Sequence, residues 1–524
     1  MKRTLLLCAA LAAATLLSRP ATADSVLLRD GRTIDCPKVE KQPDGSYKLK
    51  FENGEVVLKG DVVKEAFVTS ASGEYEPKDD EERAKVQKGL VPHEGKWVTK
   101  AERDAAVAKK TAAAKKRIDE AKAHREWRNR YKEKTANFDF EYTIPPEIAK
   151  GYMDMMETYY AYFTRQFNCA RPPKEKLKVC FYHDYDTFLE VSGASYGVLA
   201  YYRFVAPREL NFYYDRLRPD ETTAIMFHEA QHYLSHLFDL KFHIPHNFSE
   251  SMAEYFGGSK WDPVAKKMTT GGLQEGRLTE VQTDIAKGER KSLEKLLKNE
   301  LGYDDYTWGW TFVHFMMETP KYSKKFQTFY RSLSSSKDIR RVSFQGDMVT
   351  IEGPELLRAF KKALGIADLT ALEAEWTAYL DTKLKLESVT GFEEAAFAAA
   401  ASNRPLRAKR FFKLAVEKGS TNPTVYLRYG NILAGTDNAA AAETYRKGLE
   451  LDPTNPALWA ALGRLTKGLE GDENKAAGKR MIGLARELDP DSVDTWLLVE
   501  DALEKEGPAP ARPAGGGGDS GGDD

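Results

Sequence analysis

Apolar and polar residues alternate with a period of two near the start of the chain. Ser25-Val26-Leu27-Leu28 runs into Asp30-Gly31, and Ser46 to Phe51 alternates after Pro43-Asp44-Gly45. Asn53-Gly54 then precedes Glu55-Val56-Val57-Leu58. Asp-Gly and Asn-Gly between alternating runs predict tight hairpins, so a small SH3-like β module is expected over residues 24–70. Residues 71–135 are charged and Ala/Lys-rich, with Gly95-Lys96-Trp97-Val98 in a short folded interruption. Glu102 to Lys134 has few apolar positions and reads as a solvated connector helix. From Phe138 the chain turns aromatic and apolar. Ile148 to Phe167 has helical periodicity, Leu177 to Tyr182 alternates like a strand, and Asp186 to Val191 suits a short helix. Glu209 to Tyr214 is a further strand, ended by Arg218-Pro219. Asp220 stands where an N-cap belongs and Glu221 complements the dipole of the helix that follows. The fold class expected is α+β.

Composition narrows the function classes. The 524 residues carry 78 Lys+Arg against 79 Asp+Glu, a net charge of −1, which gives no argument for nucleic acid or an acidic membrane surface. The basic cluster Lys109, Lys110, Lys115, Lys116 and Arg117 is interspersed with Asp119, Glu120 and Glu126, as on a solvated helix. Met1-Lys2-Arg3, the apolar run Thr4 to Leu17 and Ala21-Thr22-Ala23 together read as a signal peptide over residues 1–23. A periplasmic or extracellular protein without stable membrane insertion is therefore expected. Three cysteines follow that segment. Cys169 and Cys180 could close a loop through Arg171-Pro172-Pro173 or stand as two buried thiols, and Cys36 would be unpaired.

The densest chemistry lies in Phe227-His228-Glu229-Ala230-Gln231-His232. On an α-helix, residues four apart share a face. His228 and His232 can thus aim two imidazoles at one point, which begins a zinc site. Glu229 follows the first of them, where a carboxylate can act as general base on a water. His236 continues the spacing but lies two turns, about 12 Å, along the axis from His228, too far to share a metal. A histidine at position 238 would mark another class, and Phe238 and Ser235 exclude it. The remaining candidate for a third ligand lies downstream, in Asn247-Phe248-Ser249-Glu250-Ser251-Met252-Ala253-Glu254-Tyr255 before Gly257-Gly258. Glu250 could equally be a capping-box partner of Asn247.

These two stretches resemble the gluzincin superfamily of zinc metallopeptidases, in which H-E-x-x-H is followed by a Glu on a second helix, often as E-G-x-A-x-Y. Glu250 to Tyr255 matches with Ser251 in place of the usual Gly, and seventeen residues separate His232 from Glu250. The resemblance covers roughly residues 136–388 and is similar in detail to predicted bacterial peptidases of that superfamily. It implies a zincin-like domain, a small sheet plus an active-site helix and a helical subdomain. It also implies Zn2+ held by His228, His232 and Glu250 with water in the fourth position, and a peptide or protein substrate. Glu254 would then accept the free N–H of a zinc-bound imidazole, or be a surface glutamate. Tyr306, in Gly302-Tyr303-Asp304-Asp305-Tyr306, would stabilise the oxyanion or serve only packing; Tyr303 and His246 are the other candidates. His243 and His314 read as cleft or core histidines. A peptidase-like scaffold without turnover is the competing expectation.

Beyond residue 388 the pattern repeats. Asn422-Pro423-Thr424-Val425-Tyr426 recurs as Asn455-Pro456-Ala457-Leu458-Trp459, and Leu451-Asp452-Pro453 as Leu488-Asp489-Pro490. Periods near 34 with Ala-rich helices resemble tetratricopeptide repeats over 389–506, which bind a protein partner or merely cap the preceding domain. A Pro/Gly/Asp-rich tail over 507–524 is expected to be disordered.

Overall fold

A computed structural model describes residues 24–69, 75–169, 176–302, 305–384, 388–401 and 404–504. The expected signal peptide, the Arg171-Pro172-Pro173 loop, Tyr303 and the C-terminal tail lie outside the described residues. The chain is mixed α+β, and its contacts divide it into two units, one of residues 1–122 with 421–513 and the other centred on 123–420. Among the described residues no helix is long and apolar enough to cross a membrane.

The alternating N-terminal runs form β1 (Asp24–Leu28), β2 (Thr33–Cys36), β3 (Lys38–Lys41), β4 (Tyr47–Lys50), β5 (Glu55–Leu58) and β6 (Val63–Phe67). They pair as two three-stranded sheets, β2-β1-β6 and β3-β4-β5. The turns fall at the Asp-Gly and Asn-Gly steps, and Gly45 takes the left-handed φ of 86° that suits glycine, whereas Gly54 does not turn through that region. After α1 (Asp80–Gln87), the hairpin β7 (Leu90–His93) and β8 (Lys96–Thr99) precedes α2 (Lys100–His124). Only Ala114 of α2 is buried, so its charges are solvated.

The helix expected through Lys134 stops ten residues earlier. Tyr131–Lys134 is instead an edge strand, β9, because Tyr131 pairs with Tyr142 and its ring stacks 5.1 Å from it. The central unit is built on a five-stranded sheet ordered β12 (Ala200–Arg203), β13 (Glu209–Tyr213), β11 (Leu177–Tyr182), β10 (Phe138–Tyr142) and β9. The pairs β10/β11 and β11/β13 are parallel, whereas β12 runs antiparallel to β13 and is an edge. Helix α3 (Pro146–Gln166) joins β10 to β11, and α4 (Tyr185–Ser192) follows β11. Leu177, Val179 and Phe181 of β11 enter the main core, while Cys180 and Tyr182 face Tyr185 and Phe188. That alternation separates the two cysteines. Cys180 lies on the α4 side, Cys169 packs against the opposite core beside the Leu237 carbonyl, and no disulfide joins them.

Helices α5 (Pro219–His236), α6 (His246–Gly257), α7 (Glu275–Lys287), α8 (Leu293–Leu297) and α9 (Tyr306–Glu318) follow, with the hairpin β14 (Lys260–Asp262) and β15 (Lys267–Thr269) after α6. Pro219, not Asp220, opens α5, with Arg218 at the N-cap. Proline's fixed φ and missing N–H suit a first helical position, which moves Asp220 into the first turn. Likewise α6 starts at His246 after Pro245, so Asn247 is no cap. Its Oδ1 accepts from Leu301 N instead, and Glu250 is released from a capping role. The unit continues through α10 (Ser323–Ser332), the short pair β16 (Val342–Ser343) and β17 (Val349–Thr350), α11 (Gly353–Leu364), α12 (Leu369–Thr382), α13 (Val389–Ala401) and α14 (Pro405–Glu417).

Five helices complete the first unit: α15 (Pro423–Leu433), α16 (Asn438–Leu451), α17 (Pro456–Lys467), α18 (Asp472–Leu488) and α19 (Val493–Glu504). The recurring Asn-Pro step is a helix start. Asn422 and Asn455 cap α15 and α17 through their side chains, with proline next. Leu484 and Leu488 of α18 complete the core of the N-terminal strands, beside Val26, Leu49 and Val56. The 389–506 stretch is thus shared between units, with α13 and α14 in the central one.

Candidate metal centre

Two helices build the site. Helix α5 is apolar on the face that meets the sheet, where Met226, Phe227, Ala230 and Tyr233 are buried. His228, Glu229 and His232 fall on the other side, and the His228 and His232 rings are 5.2 Å apart. Helix α6 crosses α5 and presents Glu250 to both rings. His228 Nε2 lies 3.3 Å from Glu250 Oε2, and His232 Nε2 lies 3.5 Å from Oε1. Ligand atoms of His228, Glu229 and His232 also lie within 4.8 Å of one another. Two imidazoles and two carboxylates therefore converge.

The outer ring nitrogens are held as well. His228 Nδ1 is 3.3 Å from Glu254 Oε1, and His232 Nδ1 is 3.0 Å from Ser249 Oγ. With Nδ1 engaged on both rings, both Nε2 atoms point inward, the arrangement that orients histidine ligands. Glu254 is 3% exposed and fully partnered. Arg277 donates to it from Nη2 and Nε at 3.0 and 3.2 Å, and Gln274 Nε2 donates at 2.9 Å. Burial alone would raise its pKa, but Arg277 and His228 pull it down to about 2. Glu250 is likewise held at about 2 against burial, by His232 and His228. Burial would lower His228, and the Glu250 and Glu254 carboxylates more than reverse this.

Glu229 and Tyr306 face the same space. Glu229 Oε2 accepts the Tyr202 N–H of the edge strand β12 at 2.9 Å, which fixes the carboxylate. Tyr306 opens α9, with the Arg277 guanidinium 5.0 Å over its ring. Both line a cavity of about 450 Å³ together with His228, Glu250 and Arg277. Trp310 and Phe312 are buried behind.

The other histidines separate cleanly. His236 is buried and its Nδ1 lies 3.1 Å from the Tyr202 hydroxyl, away from the ligand set; burial lowers its pKa to about 3. His243 stacks on Phe344 at 4.2 Å. His314 is a core residue against Trp310 and Tyr379. His246 Nδ1 is 3.7 Å from Glu250 Oε1, at the margin of the centre. Sequence reasoning did not find Arg277, Gln274, Ser249 or Tyr202. Ser249 adjoins Glu250 and could have been suspected, but Arg277 is chosen by tertiary packing alone.

No family model matches the chain, and no curated protein matches it. The donor set itself must carry the chemistry. Two imidazole nitrogens and a carboxylate suit a borderline divalent ion, and their buried acceptors supply the supporting shell such a site requires.

Proposed function

We propose that the protein is a zinc-dependent peptidase with a zincin-like central domain, exported after loss of residues 1–23. The observation that carries this reading is the convergence of His228, His232 and Glu250 beside a fixed Glu229, with His228, Glu229 and Glu250 lining one cavity. His228, His232 and Glu250 would hold the ion, and a bound zinc supplies a Lewis acid that polarises a carbonyl and acidifies water. Glu229 takes the proton from the attacking water and hands it to the departing amine. Its bond from Tyr202 N–H leaves the other oxygen for this exchange. The Tyr306 hydroxyl donates to the oxyanion as the carbonyl becomes tetrahedral. The N-terminal strands fit an SH3-like module, and α15–α19 fit tetratricopeptide-like helix pairs able to bind a protein partner.

The test is Glu229→Gln. The variant is expected to bind one zinc as the parent does while hydrolysis of unfolded casein falls by about a hundredfold or more. Equal activity in both proteins would overturn the mechanism. Zinc bound by the parent, with no cleavage of casein or a broad peptide library, would favour a scaffold without turnover.

A further inference from the structure

Strand β12 leads from the metal centre to a second feature. Ala200 lines the cavity, the Tyr202 N–H holds Glu229, and Phe204 follows the strand's end. Tyr202 and Phe204 share a face, since their rings lie 5.5 and 6.3 Å from that of His236. Two residues of strand span about 7 Å, which sets Phe204 that far from Tyr202, on the side away from Ala200 and the cavity. The Phe204 ring is 5.2 Å from His243, and His243 stacks on Phe344 at 4.2 Å with the two planes 3° apart. In the turn that follows His243, His246 Nδ1 lies 3.7 Å from Glu250 Oε1.

Phe344 is brought here from far along the chain. It belongs to the β16–β17 hairpin, which is tied to the link between α5 and α6. Val349 N donates to the Lys241 carbonyl and His243 N to the Val349 carbonyl, both at 2.8 Å. Thr350 Oγ1 donates to the His243 carbonyl at 2.8 Å. Residues 343–347 at the hairpin's tip are exposed, and Phe344 is their single large apolar side chain. It is 45% exposed although one ring face already lies against His243. A scattered surface phenylalanine needs no explanation. This one is held by a tether, and a row of rings continues from it to the strand that fixes Glu229. Burial lowers the His243 imidazole to about 4, with His232 and His246 pushing the same way, so the row carries no charge.

Resting on the peptidase reading, we propose that Phe344, backed by His243 and Phe204, is a subsite for an aromatic or branched apolar side chain of the substrate. The occupant belongs to the substrate because the rings are continuous with the centre, and it is apolar because they offer no charge. An extended peptide crossing Glu229 reaches Phe204 in about two residues. The recognised side chain therefore lies about two or three residues from the scissile bond, on the side opposite the cavity.

The experiment uses full-length, zinc-loaded chains. On immobilised Glu229→Gln protein, an N-acetylated, C-terminally amidated hexapeptide pool containing Phe, Tyr and Leu is compared with a pool in which alanine replaces all three. The first pool is expected to be retained about three- to tenfold more tightly, the gain of one aromatic contact. Adding Phe344→Ala should abolish that difference with zinc content unchanged, and Phe344→Trp should keep it. Equal retention of the two pools, including none of either, overturns the proposal, as does a difference that survives Phe344→Ala. A dimer seen in sedimentation and dissolved by Phe344→Ala would seat a second copy on the ring, and would overturn it too. Products of a degenerate pool cut by the parent enzyme are sequenced separately. Enrichment of aromatic and branched residues at one position, lost in Phe344→Ala, supports the subsite. Cuts whose preferences Phe344→Ala leaves untouched would discard the subsite and keep the peptidase; Phe344-dependent retention without cleavage would do the reverse.

Discussion

Glu254, itself 3% exposed, accepts from Arg277 and Gln274 while facing His228 Nδ1. A carboxylate in that position does more than fill space. It fixes which nitrogen of His228 points at the centre and makes the ring a stronger donor. Glu254→Ala is therefore expected to weaken zinc binding by about ten- to a hundredfold, read by competition with a chromogenic chelator. Unchanged affinity would reduce Glu254 to a structural partner of Arg277. The position of Glu254, one turn after Glu250, was legible in the sequence, since residues four apart on a helix share a face. Its partner Arg277 was not, because a chain segment and a hairpin intervene and no local pattern marks the return.

At the scale of elements, the crossing of α6 and α9 turns on one pair of small residues, Ser251 and Gly309. Ser251 stands where the resembled motif has glycine, and its Oγ bonds the Asn247 carbonyl one turn back. Gly309 of α9 faces it. A Cβ at position 309 would come within 1.9 Å of Ser251 Oγ and 3.1 Å of Ser251 Cβ, but 3.5 Å from the Asn247 carbonyl oxygen. The crossing thus holds a side chain on α6 and has no room for one on α9. Gly309→Ala should therefore destabilise the protein by about 1–3 kcal/mol through overpacking, and Ser251→Gly in the same chain should recover most of it. A thermal-unfolding double-mutant cycle measures this. Additive losses would mean the contact is not the cause. Periodicity located these helices, but Pro219 and Pro245 shifted their starts. β9 was missed because a four-residue charged edge strand resembles the helix before it.

At the scale of the whole molecule, the unit formed by the two ends of the described chain tests whether sequence neighbours are structural neighbours. The N-terminal strands were legible from alternation and turn residues, yet nothing in residues 24–70 showed that their core was incomplete. Leu484 and Leu488 of α18, 2% and 7% exposed, supply the missing surface. Glu487 between them accepts from Glu52 and Asn53 N–H at 3.2 and 3.1 Å, tying the β4–β5 turn to the same helix. Burying two leucines against a module this small matters more than it would in the central core, because a small domain has little apolar area to lose. Leucine-to-alanine changes at buried sites cost about 2–5 kcal/mol each, comparable to the whole stability of such a module. In the full chain, Leu484→Ala/Leu488→Ala should sharply raise amide exchange in β4 and β5. Protection of α5 and α6, and zinc content, should be unchanged, because the central unit has its own core. Exchange in β4 and β5 equal to the parent's would show that the strands hold together without α18. Loss of protection in α5 as well would show that the two units unfold as one.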